Sequence, residues 1–263
     1  MQADETKWLD RFLDKLKYER HYSPHTLKNY QRDLHQFIEF LDQRKISHWR
    51  EIDDDTVRGY IGQRHRRGSS AKSVQRLLSS LRSFLDFLII EAELSVNVAK
   101  DVRGPKAARK LPQTLDVDQV NLLLNFKTDT PNAMRDKAFM ELFYSSGLRL
   151  SELEKLNVND IDFNDAIVQV TGKGNKTRRV PVGKKAIKAI TEWLDTREAF
   201  VNDLTDNALF IDLKGIRLNG NRIRNRIKKR AKQQGISERI YPHLLRHSFA
   251  SHVLESSSDL RAV

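Results

Sequence analysis

The stretch Tyr241–His252 (YPHLLRHSFASH) gathers three histidines and one arginine among apolar residues at helical spacing. Read as a helix, it places His243, Arg246 and His247 on one face, because residues three and four apart are neighbours on a helix. Pro242 suits the first turn, where the helix dipole also favours anions. The pattern therefore predicts a site that binds an anion and handles protons, although a solvated helix face would show the same spacing.

A second candidate is an arginine at a predicted break between two helices. Gly147 ends an apolar helix, and Arg149 follows between Leu148 and Leu150. An arginine flanked by leucines is expected to be partly buried and then needs a carboxylate partner, for which Glu152 is the candidate. The alternative is that Arg149 serves only an internal salt bridge.

A third candidate lies at the turn of the clearest predicted hairpin. Residues 166–171 and 177–182 favour strands, and the turn between them places Lys173 between Gly172 and Gly174. A lysine in that place can reach a ligand, although a solvated turn lysine is the commoner finding.

Together these residue types favour phosphoryl transfer without a metal ion. Two guanidinium groups can fork onto the non-bridging oxygens of one phosphate and stabilise the charge of the transition state. A lysine or a histidine can donate the proton that a leaving alkoxide needs. A metal-dependent nuclease would need converging carboxylates, and the acidic run Asp53–Asp55 is consecutive, so it cannot converge on one helical face.

The chain carries a net charge of +12, and two blocks without acidic residues contribute much of it. One block lies between Asp55 and Asp86, the other between Asp212 and Glu238. Basic surface in two places predicts two modules that grip one polyanion, against the alternative of two solvated helix faces. The candidate DNA-contact residues in these blocks are Arg66, Arg67, Lys72, Arg76, Arg222, Arg224, Asn225 and Lys228.

The spacing of apolar residues predicts a mainly α protein with two domains. Four amphipathic helices joined by short turns predict an N-terminal helical domain over residues 1–98. Residues 99–112 are basic and contain glycine and proline, so they are interpreted as a linker that either follows a phosphate backbone or acts as a simple tether. Residues 113–263 combine helices with the hairpin and predict an α+β domain with a small antiparallel sheet.

Composition excludes several classes of protein and site. The chain has no cysteine, which rules out disulfides, thiolate catalysis and cysteine-based metal sites. No apolar run approaches the roughly 20 residues of a membrane span, and the N-terminus lacks the apolar segment of a secretory signal. We therefore expect a cytoplasmic location without membrane contact.

The three motifs, in this order and at these separations, resemble the tyrosine recombinase (phage integrase) family, and within it the Xer group. Leu148–Leu153 resembles the family's first-arginine motif, Thr171–Lys176 its hairpin lysine, and His243–Ala250 its His-x-x-Arg box. Leu254–Val263 is similar to the run that follows this box, and Ser23–Thr26 resembles a helix start of the family's core-binding (SAM-like) N-terminal domain. The resemblance covers essentially the whole chain.

The resemblance implies a site-specific recombinase that cuts and rejoins DNA through a 3′-phosphotyrosine intermediate without a cofactor. Arg149 and Arg246 would hold the scissile phosphate. His243 would support them and assist proton transfer, and Lys173 would protonate the departing 5′-hydroxyl. The implied task is resolution of chromosome dimers, with double-stranded DNA, a related recombinase in a heterotetramer and a cell-division DNA translocase as partners.

In one respect the chain departs from the family pattern. The family's nucleophile is a tyrosine beyond the His-x-x-Arg box, whereas the six tyrosines of this chain all precede His243, and Tyr241 lies on the wrong side of the box. The chain as given is therefore expected to bind DNA without cleaving it. A non-catalytic DNA-binding module and the integrase of a mobile element are the alternatives.

Overall fold

The computed structural model describes residues 3–106, 114–172, 176–203, 205–236 and 240–257. The chain divides into two compact units, residues 1–110 and 111–263. Each unit has its own hydrophobic core, and the two cores share no residue. Each unit is therefore described separately.

Four helices build the first unit, as the sequence predicts. They are α1 (Ala3–Tyr18), α2 (Pro24–Gln43), α3 (Asp54–Arg66) and α4 (Ala71–Ile90). Serine caps begin two of them: the hydroxyl of Ser23 accepts from the Thr26 amide at 3.2 Å, and that of Ser70 accepts from the Ser73 amide at 3.2 Å.

The start of the predicted 99–112 linker packs on this first unit. Ala99 and Val102 are buried in its core. The side chain of Arg82 donates to the carbonyl oxygens of both residues, at 2.9 and 2.7 Å. Arg82, one of the basic residues between Asp55 and Asp86, therefore holds the chain that leaves the unit. Any part that residues 99–112 play as a linker or along DNA stays a prediction.

The second unit surrounds one buried helix with a small sheet and further helices. Phe139, Leu142 and Phe143 of the central helix are almost wholly inaccessible to solvent. Its helices are α5 (Val117–Leu124), α6 (Pro131–Ser146), α7 (Leu150–Lys155), α8 (Lys184–Arg197), α9 (Gly220–Gln233) and α10 (Pro242–Ser257), of which α6 is the central one.

The sheet of the second unit has three antiparallel strands in the order β1 (Ile161–Asp162), β2 (Ile167–Thr171) and β3 (Thr177–Pro181). In the register of β2 and β3, Val170 pairs with Arg178. The prediction of a mainly α protein with a four-helix first domain and a small antiparallel sheet in the second is confirmed.

Two local predictions differ from the structure. The apolar pattern from Arg135 to Ser146 predicts a helix that begins near residue 135, but α6 begins at Pro131, because Thr130 caps it and a proline suits the first turn. The apolar residues 209–211 predict a short buried strand, but they take part only in an isolated bridge between Ile211 and Arg217. Over the described ranges no helix has both the length and the apolar character to cross a membrane.

Candidate active site and nucleic-acid interface

The turn between α6 and α7 is the point where the candidate side chains meet. Gly147 caps α6 in the left-handed conformation, with φ +53°. Phe249 of α10 packs directly on it, since a Cβ atom on Gly147 would lie 2.4 Å from Cδ1 of that ring. The guanidinium of Arg246, also on α10, donates to the carbonyl oxygen of Gly147. The helix of the His-x-x-Arg pattern is therefore fastened to the turn that carries Arg149.

Arg149 precedes the first residue of α7 and is held by Glu152. Its amide donates to Oε2 of Glu152 at 2.7 Å, and its Nη1 donates to Oε1 at 2.9 Å. The predicted pairing with Glu152 is confirmed, and so is the partial burial, since 51% of the Arg149 side chain is exposed. Leu148 is buried beside it, and the helix-capping position turns the arginine outward.

A second arginine, which sequence reasoning missed, binds the same carboxylate. Arg178 donates from Nη1 to Oε1 and from Nη2 to Oε2 of Glu152, both at 2.8 Å. Burial would raise the pKa of Glu152, but the hydrogen bonds from Arg178 and Arg149 outweigh it and lower the pKa to about 2. The sequence signal was the strand alternation, which places Arg178 opposite the buried Val170 and calls for a carboxylate partner.

Arg246 completes a cluster of three guanidinium groups around one carboxylate. Its pKa is lowered by burial first and then by the positive charges of Arg149 and Arg178. Glu152 offsets only one of these three charges. The surplus positive charge and the half-exposed Arg149 make this turn a place where a phosphate would bind.

The structure places the other two predicted catalytic residues less completely. His243 lies exposed in the first turn of α10, one turn before Arg246 and on the same side of the helix. Lys173 lies outside the described residues. The ends of its hairpin are closed by a hydrogen bond from the Gly172 amide to the Lys176 carbonyl oxygen, at 2.8 Å.

The two remaining histidines of α10 are placed differently. His252 forms a hydrogen bond of 2.8 Å between its Nδ1 and the hydroxyl of Tyr144, so it joins α10 to α6. His247 is exposed. No part of the described chain brings three or more histidine, aspartate or glutamate side chains together in a way that could hold a metal ion.

The first basic block exposes Arg66, Arg67 and Lys72 around the turn between α3 and α4. Arg76 is used differently, because its guanidinium pairs with Asp33, whose side chain is only 3% exposed. Three of the four candidate DNA contacts in this block are thus free to face solvent, and the fourth also stabilises the fold.

The second basic block is divided in the same way. Helix α9 exposes Arg224, Asn225 and Lys228, while Arg222, half exposed, pairs with Asp212. On the inner side of α9, the side chains of Arg226 and Arg230 donate to the fully buried carboxylate of Asp136 on α6, at 2.8 and 2.9 Å from their Nε atoms. The basic charge of α9 therefore has an anchoring side and a solvent side.

Two family models match the chain. The phage integrase family matches residues 113–263, and the N-terminal SAM-like domain of phage integrases matches residues 9–92. The tyrosine recombinase XerC of Alcanivorax borkumensis is 45% identical over 257 residues, which cover 97% of this chain and 83% of that protein. The XerC of Escherichia coli O139:H28 is 43% identical over 255 residues, which cover 97% of this chain and 85% of that protein.

Solved structures share the fold. A XerH recombinase bound to a palindromic difH substrate in a post-cleavage complex has a TM-score of 0.77 at 20% identity, over 96% of this chain and 75% of that one. A lambda integrase dimer bound to a core site has a TM-score of 0.75 at 20% identity, over 97% of this chain and 92% of that one. The XerA recombinase is 26% identical with a TM-score of 0.53, over 98% of this chain and 87% of that one.

Proposed function

Because the chain belongs to the phage integrase family of tyrosine recombinases, we propose that it cuts and rejoins DNA at a specific site through a 3′-phosphotyrosine intermediate. The XerC relatives place it in the Xer group of that family. The observation that carries the proposal is the guanidinium cluster at the Gly147 turn, where Arg246 is bonded to the turn itself and Arg149 faces solvent.

In the proposed reaction, Arg149 and Arg246 bind the non-bridging oxygens of one DNA phosphate. The nucleophile is the family's tyrosine beyond the His-x-x-Arg box, a place that none of the six tyrosines of this chain takes. Its hydroxyl attacks the phosphorus, and the bond to the 5′-oxygen breaks. Lys173 gives its proton to that oxygen, and His243 supports the arginines and assists proton transfer. The phosphotyrosyl bond keeps the energy of the broken bond, so attack by a 5′-hydroxyl rejoins the strand without a cofactor.

The two basic blocks supply the proposed grip on the duplex. Arg66, Arg67 and Lys72 contact phosphates from the first unit, together with Arg76 where its bond to Asp33 permits. On α9, Arg222, Arg224, Asn225 and Lys228 contact DNA, and the side chains of Arg224 and Asn225 are of the types that bind guanine and adenine edges in a major groove.

The biological task that we propose is the resolution of chromosome dimers at cell division, in the cytoplasm. The chain would act with a XerD-like partner in a heterotetramer on one recombination site, and a cell-division DNA translocase would control it. The identity to XerC relatives supports this assignment over the integrase of a mobile element, since it extends over 97% of the chain.

DNA binding is tested by selecting duplexes from a random library with the purified chain and measuring their affinity. A selected sequence with a Kd well below that of an arbitrary duplex supports a specific site. The variant Arg246→Ala should keep most of this affinity, because many phosphate contacts contribute to it. Equal affinity for selected and arbitrary duplexes contradicts the proposed function.

Catalysis is tested with the chain extended by the segment of a XerC relative that carries the family's tyrosine. The extended chain is given the same duplex with a nick beside the cleavage position, and a covalent protein–DNA adduct is measured. Loss of an adduct in Lys173→Ala and Arg246→Ala, with DNA affinity retained, supports the enzyme. A removed phosphate donor typically lowers such a rate by about 100- to 1,000-fold. Specific binding by the extended chain without any adduct would favour the alternative, a non-catalytic DNA-binding module.

A further inference from the structure

Glu152 lies between two arginines that it binds unequally. Arg178 gives it two parallel hydrogen bonds, one to each carboxylate oxygen, at 2.8 Å. The guanidinium of Arg149, by contrast, reaches Glu152 through Nη1, at 2.9 Å. Half of the Arg149 side chain is exposed, and its Nε and Nη2 groups have no hydrogen-bond partner among the described residues, so they can bind a ligand.

A buried carboxylate beside a phosphate-binding arginine is a competitor for that arginine. The side chain of Glu152 is only 2% exposed, so it depends on protein donors rather than on water. If Arg149 were its sole partner, the two groups would form the paired, forked contact that arginine and carboxylate prefer. That contact would turn the donors of Arg149 toward Glu152 and away from a phosphate.

We propose that Arg178 is a positioning residue, whose forked contact occupies Glu152 so that Arg149 keeps its outward donors for the phosphate of DNA. The inference rests on the proposed function, in which Arg149 binds that phosphate. Arg178 thereby also restores the positive charge that Glu152 removes from the site.

The place of Arg178 in the fold suits this role. It lies on β3, opposite the buried Val170, and its Nη1 lies 3.4 Å from where a Cβ atom on Gly172 would stand. The next residue, Arg179, has its side chain 61% exposed and contacts Asp165 at 3.4 Å. Arg179 is thus a matched control of the same residue type on the same strand.

The test measures how strongly the protein prefers a charged phosphate at one position. In the selected duplex, single phosphates are replaced one at a time by neutral methylphosphonates. The phosphate that Arg149 contacts is identified as the position where the wild type prefers the charged phosphate and Arg149→Gln does not. The readout for every variant is the ratio of the Kd for the neutral duplex to the Kd for the natural duplex. A purely structural effect changes both affinities together and leaves this ratio unchanged.

We expect Arg178→Gln to lower the ratio about tenfold, the size of one lost charge-assisted hydrogen bond. In a protein that already carries Glu152→Gln, the change Arg178→Gln should lower the ratio less than about twofold. The carboxylate that competes for Arg149 is absent there, so the two substitutions are not additive. Arg179→Gln should leave the ratio unchanged. Arg178→Lys, which keeps the charge without the fork, should also lower it. Thermal melting confirms that each variant is folded.

Three results would overturn the inference. A wild-type ratio in Arg178→Gln or in Arg178→Lys means that the fork does not serve Arg149. An equal loss from Arg178→Gln in both backgrounds means that Arg178 binds the phosphate itself. If the wild type shows no preference at any position, the phosphate role of Arg149 in the proposed function fails as well, and this outcome is distinct from the other two.

Discussion

At the scale of single residues, Glu152 is the acid on which the site depends. It stays ionised although it is buried, because two arginines donate four hydrogen bonds to its oxygens. A carboxylate of this kind stabilises the folded protein only while it is charged.

Acid should therefore remove the contribution of Glu152 to stability. Its pKa falls from the ordinary 4.5 to about 2 in the folded protein, so the contribution is complete above about pH 4.5 and is lost as the pH falls toward 2. We expect the difference in Tm between the wild type and Glu152→Gln, followed by circular dichroism, to narrow over this range. A difference in Tm that stays constant over this range would contradict the lowered pKa of Glu152.

Short sequence separations made part of this site predictable. Arg149 and Glu152 are three residues apart, so the helix start alone brings them together. Arg178 is 26 residues from Glu152, and its strand alternation predicts a partner without saying which. The bond between Arg246 and Gly147 spans 99 residues, and no local pattern specifies such a contact.

At the scale of elements, the Gly147 turn combines two demands that only glycine meets. Its backbone is left-handed, and Phe249 occupies the space of a side chain. Since Arg246 donates to the same residue, the packing of Phe249 and the position of Arg246 depend on one turn.

Substitution of Gly147 should reduce stability by more than the strain of a left-handed backbone explains. Gly235 is also left-handed, with φ +69°, but nothing lies within 4 Å of its missing side chain. In urea unfolding we expect Gly235→Ala to lower the free energy of unfolding by about 1 kcal/mol. Gly147→Ala should lower it by about 3 kcal/mol or more, because its methyl group displaces Phe249. Equal losses would show that the ring moves freely.

The contact between α6 and α9 depends on one buried carboxylate. Asp136 is fully buried and accepts from Arg226 and Arg230 of α9 and from Arg135, at 2.8, 2.9 and 3.2 Å. Helices with a conspicuous apolar stripe were predictable from periodicity, but α9 has a thin one, and its attachment through arginines is a tertiary feature.

Removal of that carboxylate charge should be strongly destabilising. Asp136→Asn leaves arginines without their buried counter-ion, and we expect a loss of about 3 to 5 kcal/mol in denaturant unfolding. The exposed pair of Asp165 and Arg179, 3.4 Å apart, is the control, and Asp165→Asn should cost less than about 1 kcal/mol. A small loss from Asp136→Asn would mean that the helices are held by apolar contacts alone.

At the scale of the whole molecule, the net charge of +12 overstates the charge that is open to a polyanion. Arg76, Arg82, Arg226 and Arg230 make contacts inside their own unit. The two basic blocks are visible in the sequence, but the sequence does not show which of their cations are exposed and which pair inside the fold. The acidic partners, Asp33 and Asp136, are distant in the sequence from the arginines that bind them.

The salt dependence of DNA binding should follow exposure rather than formal charge. We expect Lys228→Gln, on the solvent side of α9, to reduce the slope of log K against log salt by about 1. Lys188→Gln on α8, where the lysine side chain is 81% exposed outside both blocks, should leave the slope unchanged. The measurement is fluorescence anisotropy over a salt series. Equal slopes for the two variants would contradict the assignment of Lys228 to the DNA-binding surface.

The bond from Arg246 to Gly147 also orders events on the ribosome. The two residues are 99 positions apart, so at roughly 5 to 20 residues per second the second arrives on the order of 5 to 20 s after the first. During that interval the nascent chain contains Gly147 and Arg149 without Arg246. A growing polypeptide therefore lacks one arginine of the proposed phosphate site until Arg246 has been synthesised.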